Sequence, residues 1–208
     1  MAVAEPLVTE EALANACAVL RAGGVVAFPT ETYYGLAVDP FNQAALSHLF
    51  TVKGRSADKP VLLIVDTVSQ LSSLVAKMPP PFAILMERFW PGPLTLIFPG
   101  VASLPEMLTG HRGTIGARVS SHPVARQLVR AFGRPITATS ANLSGHPPAV
   151  TASGVRAQFG SEVDAVLDGG RTPGGQGSTL LGYQEGEICL LRAGVVPFAE
   201  IEAALAGV

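Results

Sequence analysis

The residues of this 208-residue chain best suited to chemistry are a set of cations, Lys53, Arg55, Lys59, Arg118 and Arg192, and a set of neutral polar groups, Thr32, Ser140, Asn142 and Ser178. Guanidinium groups fork onto carboxylates and phosphates, and hydroxyls complete such contacts with further hydrogen bonds. The set therefore suits a site that holds anions. Acidic and basic residues make up only 14% of the chain, against roughly 25% in an average protein, so a charge that interrupts apolar or glycine-rich sequence is informative. Charges scattered at random over a surface would not fall, as these do, at strand ends and glycine turns. Other chemistries are poorly served. There is no Gly-x-Ser-x-Gly elbow, and Ser140 has no base partner in the sequence. His48, His111, His122 and His146 are neither paired at helical spacing nor set beside cysteine pairs, so each reads as a surface or capping histidine and no zinc site is expected. The chain has no Gly-x-x-x-x-Gly-Lys-Ser/Thr loop, and Gly174-Gly175-Gln176-Gly177 lacks the dinucleotide-binding spacing, so any phosphate is held by another device.

The elements that must position these groups alternate between helix and strand. The stretch Gly23 to Leu36 runs an apolar strand, Val25 to Phe28, into Pro29 and then into the polar turn Thr30-Glu31-Thr32-Tyr33-Tyr34. Proline ends strand pairing, and ligands in open α/β sheets collect beyond the carboxyl ends of strands. Thr9 is placed to cap a helix through Leu20, and Asn42 a second helix that Gly54 breaks just after Lys53. Lys53 and Arg55, in that polar helix end, are expected to have no role in the core. Strands are expected at Val61 to Val65, Leu94 to Phe98, Thr114 to Val119, Pro135 to Thr139 and Ala165 to Asp168. Helices are expected near Ser69 to Ala76, at Phe82 to Phe89, at Pro123 to Phe132 and at Thr151 to Phe159. Alternation in Thr114 to Val119 puts Arg118 on the face of Thr114 and Gly116. The strand before Ser140 empties into a second polar turn, Ser140-Ala141-Asn142-Leu143-Ser144-Gly145. A glycine-rich loop, Gly169 to Gly177, precedes a hairpin turned at Glu185-Gly186 and a last helix with Ile201 and Leu205. The class is α/β, with the terminal hairpin making the sheet mixed.

A chain of this length is expected to form one domain, 1–208, around one core. The net charge of -2 gives no general attraction to nucleic acid. Cys17 and Cys189 both lie in apolar runs and read as buried, reduced thiols. No apolar run approaches the roughly 18 residues of a membrane span, and no basic region followed by a hydrophobic block opens the chain. A cytoplasmic protein with no membrane contact is expected.

Several segments together carry a resemblance. Pro29-Thr30-Glu31-Thr32-Tyr33-Tyr34-Gly35-Leu36, Lys53-Gly54-Arg55 with Lys59-Pro60, Trp90-Pro91-Gly92-Pro93-Leu94-Thr95, Arg118, and Ser140 to Gly145 resemble, in order, the motifs of the YrdC family of threonylcarbamoyl-AMP synthases. The likeness spans about Ala14 to Gly194. It implies a twisted mixed sheet with flanking helices around a large concave positive groove. Longer members carry a further C-terminal domain, which a chain of 208 residues is not expected to hold. The resemblance also implies a nucleotidyltransferase reaction: L-threonine, bicarbonate or CO2, and ATP give threonylcarbamoyl-adenylate and pyrophosphate, toward N6-threonylcarbamoyladenosine in tRNA. By matching motif positions, Thr32, Arg118, Ala138 (through its backbone) and Ser178 would bind threonine. Lys53, Arg55, Lys59, Thr114, Ser140, Asn142 and Arg192 would bind ATP, with Lys53 and Arg55 in the catalytic role.

Mg²⁺ is expected to accompany the nucleotide, although no acidic pair marks a site for it. Transient contact with the tRNA threonylcarbamoyl transferase complex is also implied. Two positions depart from the family pattern: Val61 to Val65 lacks a histidine that some members carry, and Pro148 stands where some have a serine. Both bear on substrate affinity more than on reaction type. Two rival functions follow from the same resemblance, a double-stranded RNA-binding module and a carbamoyl-adenylate former in metal-centre maturation. Low overall charge and the absence of interleaved aromatics leave only weak RNA binding to be expected. Metal-centre maturation normally uses this unit within a longer chain.

Overall fold

The computed structural model describes residues 8–56 and 58–206. Among them, the strands are β1 (Val26–Pro29), β2 (Tyr34–Ala37), β3 (Leu62–Ile64), β4 (Leu94–Pro99), β5 (Thr114–Arg118), β6 (Ile136–Ser140), β7 (Ala165–Val166), β8 (Thr179–Gln184) and β9 (Glu187–Arg192). The helices are α1 (Glu10–Arg21), α2 (Gln43–Lys53), α3 (Pro80–Phe89), α4 (Glu106–Thr109), α5 (Pro123–Phe132), α6 (Ala152–Phe159) and α7 (Phe198–Ala206). No helix of the described residues is long and apolar enough to cross a membrane.

Local signals explain several helix ends. The Thr9 hydroxyl accepts from Ala12 N at 3.1 Å, the Asn42 side chain from Ala45 N at 3.1 Å and Thr151 from Gly154 N at 3.1 Å, each satisfying a first-turn donor that the helix leaves free. His122 does the same for α5 through Nδ1, which accepts from Val124 N at 3.2 Å. Gly54 closes α2 with φ of 56°, a left-handed conformation that a side chain would strain. The segment expected as a helix near Ser69 is instead a 3₁₀ turn, Val68–Ser73.

The strands form one mixed sheet in the order β7-β1-β2-β6-β3-β5-β4-β8-β9. Antiparallel pairing is spread through it, in β1·β2, β2·β6, β3·β6, β4·β5 and β8·β9, while β1·β7, β3·β5 and β4·β8 run parallel. The expectation that the terminal hairpin alone makes the sheet mixed is therefore corrected. The polar turn after Pro29 folds β2 back on β1 with Pro29 opposite Tyr34.

Each strand sends alternate side chains to opposite faces, and the faces differ in how they are covered. On one, Ala27, Leu36, Leu63, Leu96, Phe98, Ile115 and Ala117 join a large core with α2, α3, α6 and α7. On the other, Val26, Phe28, Ala37, Ile64 and Ile136 pack against Ala16, Cys17 and Leu20 of α1 and against Val124, Leu128 and Phe132 of α5. These two helices reach only the β1 to β3 half of that second face. Beyond it, Leu62, Thr114, Gly116, Arg118, Ile97 and Leu180 face a cavity. Cys17 is buried as expected, whereas Cys189 is only half-buried on the edge strand β9; both are free thiols.

Candidate active site

The cavity over the uncovered half of the sheet measures about 1010 Å³. That lies at the upper end of the range of ligand cavities, roughly 300–1,000 Å³, more than a single amino acid needs. Its cations are Arg55, Lys59, Arg112, Arg118 and Arg192, and no Asp or Glu is among the described residues of its wall. Thr30, Thr32, Thr114, Ser140 and Ser178 add hydroxyls.

The turn between β1 and β2 forms one side. Thr30 Oγ1 donates to Tyr33 O at 2.7 Å and lies 3.0 Å from Thr32 Oγ1, and Thr32 O accepts from Gly174 N at 2.8 Å. Turn and glycine-rich loop therefore hold each other. Arg118, at the end of β5, donates from Nε to Glu31 Oε1 at 2.9 Å, and Ser120 Oγ donates to Glu31 Oε2. Burial alone would push the Glu31 carboxyl up, but the Arg118 charge and the Ser120 hydroxyl outweigh it and hold it below the ordinary carboxylate range.

Arg192 of β9 reaches the start of β8. Its Nη2 donates to Ser178 O at 2.7 Å and to Ser178 Oγ at 3.2 Å, while Ser178 Oγ lies 2.8 Å from Thr95 Oγ1. Burial, then the nearby Arg118 charge, lowers the Arg192 guanidinium below its usual range. Two like charges held this close are relieved by a shared anion. Arg55 forms a third position: its Nη2 donates to Pro60 O at 2.9 Å, fixing the loop that carries Lys59. Its pKa too is lowered, mainly by burial, with Asp58 opposing.

Of the residues expected from the sequence, Thr32, Arg55, Lys59, Thr114, Arg118, Ala138, Ser140, Ser178 and Arg192 line this cavity. Lys53 and Asn142 stand behind the wall. Lys53 is 2% exposed, contrary to the expectation that it has no part in the core. Its Nζ donates to Asn142 O at 2.8 Å and to Ser140 O, tying α2 to the turn after β6. Burial first, then the charge of Arg55, brings its pKa down to about 7. Asn142 braces the same turn: its Nδ2 donates to Leu143 O and His146 O, each at 2.9 Å, and its Oδ1 accepts from Ser140 Oγ at 2.5 Å. Pro148, at one of the two departures, is on the wall, as are Val61 and Leu62 from the segment of the other.

Arg112, Tyr33, Gln176 and Gln184 also line the cavity without having been singled out. Arg112 sits in the aperiodic segment before β5, where nothing local marks it. The donor set does not fit a protein-held Mg²⁺ site. Its wall supplies no carboxylate, and no group of three or more His, Cys, Asp or Glu that could hold a metal occurs among the described residues.

Comparison with known proteins gives a consistent result. The family model described as telomere recombination, for Sua5, YciO and YrdC, matches residues 18–194. A threonylcarbamoyl-AMP synthase of Pyrococcus abyssi is 39% identical over 183 residues, 88% of this chain and 54% of that protein. One of Thiobacillus denitrificans is 45% identical over 176 residues, covering 85% of this chain and 92% of the relative. The chain thus spans about half the length of the first and nearly all of the second. The crystal structure of P. abyssi Sua5 complexed with L-threonine superposes with a TM-score of 0.89 at 38% identity, over 92% of this chain and 56% of the other.

Proposed function

Because the chain belongs to the Sua5, YciO and YrdC family, we propose that it is an L-threonylcarbamoyladenylate synthase, a nucleotidyltransferase that joins threonine, bicarbonate or CO2, and ATP. One observation of this chain carries the reading most directly. A single cavity is lined by four cations at different elements, Arg55, Lys59, Arg118 and Arg192, with no carboxylate among the described wall residues. Such a site accommodates two anions at once, as the reaction requires.

Arg118, through its guanidinium, takes the threonine carboxylate, and Thr32, Ser178 and the Ala138 backbone complete that subsite. Arg55, Lys59, Thr114, Ser140 and Arg192 serve the triphosphate. Lys53 and Asn142 act on ATP indirectly, by holding the turn that presents Ser140. The threonine amine adds to CO2 to give a carbamate and releases a proton. A carbamate oxygen then bonds to the α-phosphorus while the bond from that phosphorus to the bridging oxygen breaks, and pyrophosphate departs. The chain's contribution is to align the two reactants and to neutralise the charge that develops on the leaving group. Any Mg²⁺ that accompanied the nucleotide would have to be held by its phosphates and water, since the described wall supplies no carboxylate. The product is the mixed anhydride used to modify tRNA, handed on in transient contact with the transferase complex in the cytoplasm.

The test is pyrophosphate release from ATP with and without threonine and bicarbonate. Release that needs both is expected, because neither alone yields the attacking carbamate. Equal release from ATP alone would make the protein a hydrolase and end this reading.

A further inference from the structure

Glu31 has no part in the reaction described above, yet it is the anion that faces Arg118. The side chains of the pair are 6% and 10% exposed, so the contact is largely withdrawn from water. Glu31 engages Arg118 through Nε alone, because its second oxygen accepts from Ser120. Neither terminal nitrogen of Arg118 has a partner among the described residues, and Arg118 lies on the cavity wall. The guanidinium is thus held from behind with its two-pronged end free.

The support is itself rigid. Thr30 N donates to Tyr33 O at 3.1 Å and Thr32 N to Thr30 Oγ1 at 3.2 Å, which fixes the turn that carries Glu31. Ser120 is anchored in turn, since its Oγ accepts from His122 N at 3.2 Å at the start of α5. We propose that Glu31, seated by Ser120, is a positioning residue that aims the Arg118 fork at the carboxylate of the amino-acid substrate, so that the site reads the carboxylate as well as the side chain. This rests on the functional reading above. A carboxylate with both oxygens engaged and its charge stabilised by Arg118 is a poor base, which leaves orientation as its task.

Calorimetry on the full chain tests this with threonine, threonine amide and ATP as separate ligands, for the native protein and for Glu31→Ala, Glu31→Gln and Ser120→Ala. Glu31→Ala is expected to weaken threonine at least about tenfold, the scale of losing one hydrogen bond to a charged group. It should also bring threonine and its amide toward equal affinity and leave ATP within about twofold. Glu31→Gln keeps the volume and one acceptor, so it should fall between native and alanine; it decides the matter if the alanine variant does not fold. Ser120→Ala should show the same pattern more weakly. Unchanged or tighter threonine binding in both Glu31 variants overturns the proposal, as does an equal loss of threonine, amide and ATP. Native protein that binds no threonine would overturn the functional reading itself, which separates the two failures.

Discussion

Replacing Lys53 by methionine should remove a pH dependence that the native protein's stability possesses. Lys53 is 2% exposed, and burial, with help from Arg55, lowers its pKa from 10.5 to about 7. Between those values the unfolded chain holds a proton that the folded chain does not, so native stability rises with pH. The contribution is complete above the unfolded value and is lost as pH falls through about 7. The slope is at most about 1.4 kcal/mol per pH unit, with a ceiling of about 5 kcal/mol over the window. The neutral amine keeps two N–H donors, enough for the Ser140 and Asn142 carbonyls it bridges. Loss of those bonds in the methionine variant would cost about 1–3 kcal/mol. That cost is partly offset at low pH, where the native protein carries the penalty of a buried charge. Urea unfolding of both proteins at intervals from about pH 7 to 10 isolates Lys53, since other groups cancel in the difference. The native protein should gain on the variant as pH rises. A difference that stays flat would show that the two carbonyls keep the ammonium in its ordinary charge state, and the argument from burial would be wrong.

Two further outcomes follow from the geometry. A Cβ on Gly194 would lie 2.5 Å from Ser178 C and from Thr179 N, against backbone that has no flexible end to yield. Gly194→Ala should therefore cost about 1–3 kcal/mol and raise KM for threonine by displacing Ser178; a thermal melt and kinetics equal to native would refute this. Among amino acids, valine should be a poorer substrate than serine, because it offers no hydroxyl to the Thr32 and Ser178 subsite, whereas serine, lacking one methyl, should lose only about 10- to 200-fold in kcat/KM against threonine. Valine used as well as serine would show that the hydroxyl is not read.

The parts of this protein legible in the chain are those written within a few residues. Thr9, Asn42 and Thr151 cap their helices by bonds to the third residue onward, and Gly54 ends α2 through its own backbone. Alternation in β5 places Thr114, Gly116 and Arg118 on one face, and the structure puts all three on the cavity wall. Ordered motifs likewise pointed to the family, since each is a contiguous run of residue types. Pairing was less accessible. The return of β2 onto β1, and antiparallel contacts spread across the sheet, depend on which strands meet, and local pattern does not encode that.

The site shows the same division. Residue types alone marked an anion-binding set and named four of the five cations on the wall, missing Arg112. Lys53 looked like a cation outside the core, at a polar helix end, but the carbonyls it bonds, those of Ser140 and Asn142, lie 87 and 89 residues away. Glu31 and Arg118 are also 87 residues apart, and their pairing exists only because the β1–β2 turn and the end of β5 converge. The cavity itself is a matter of coverage: α1 and α5 reach only half of one sheet face. How far two helices extend across a sheet is settled by packing in three dimensions, so only the tertiary structure could decide it.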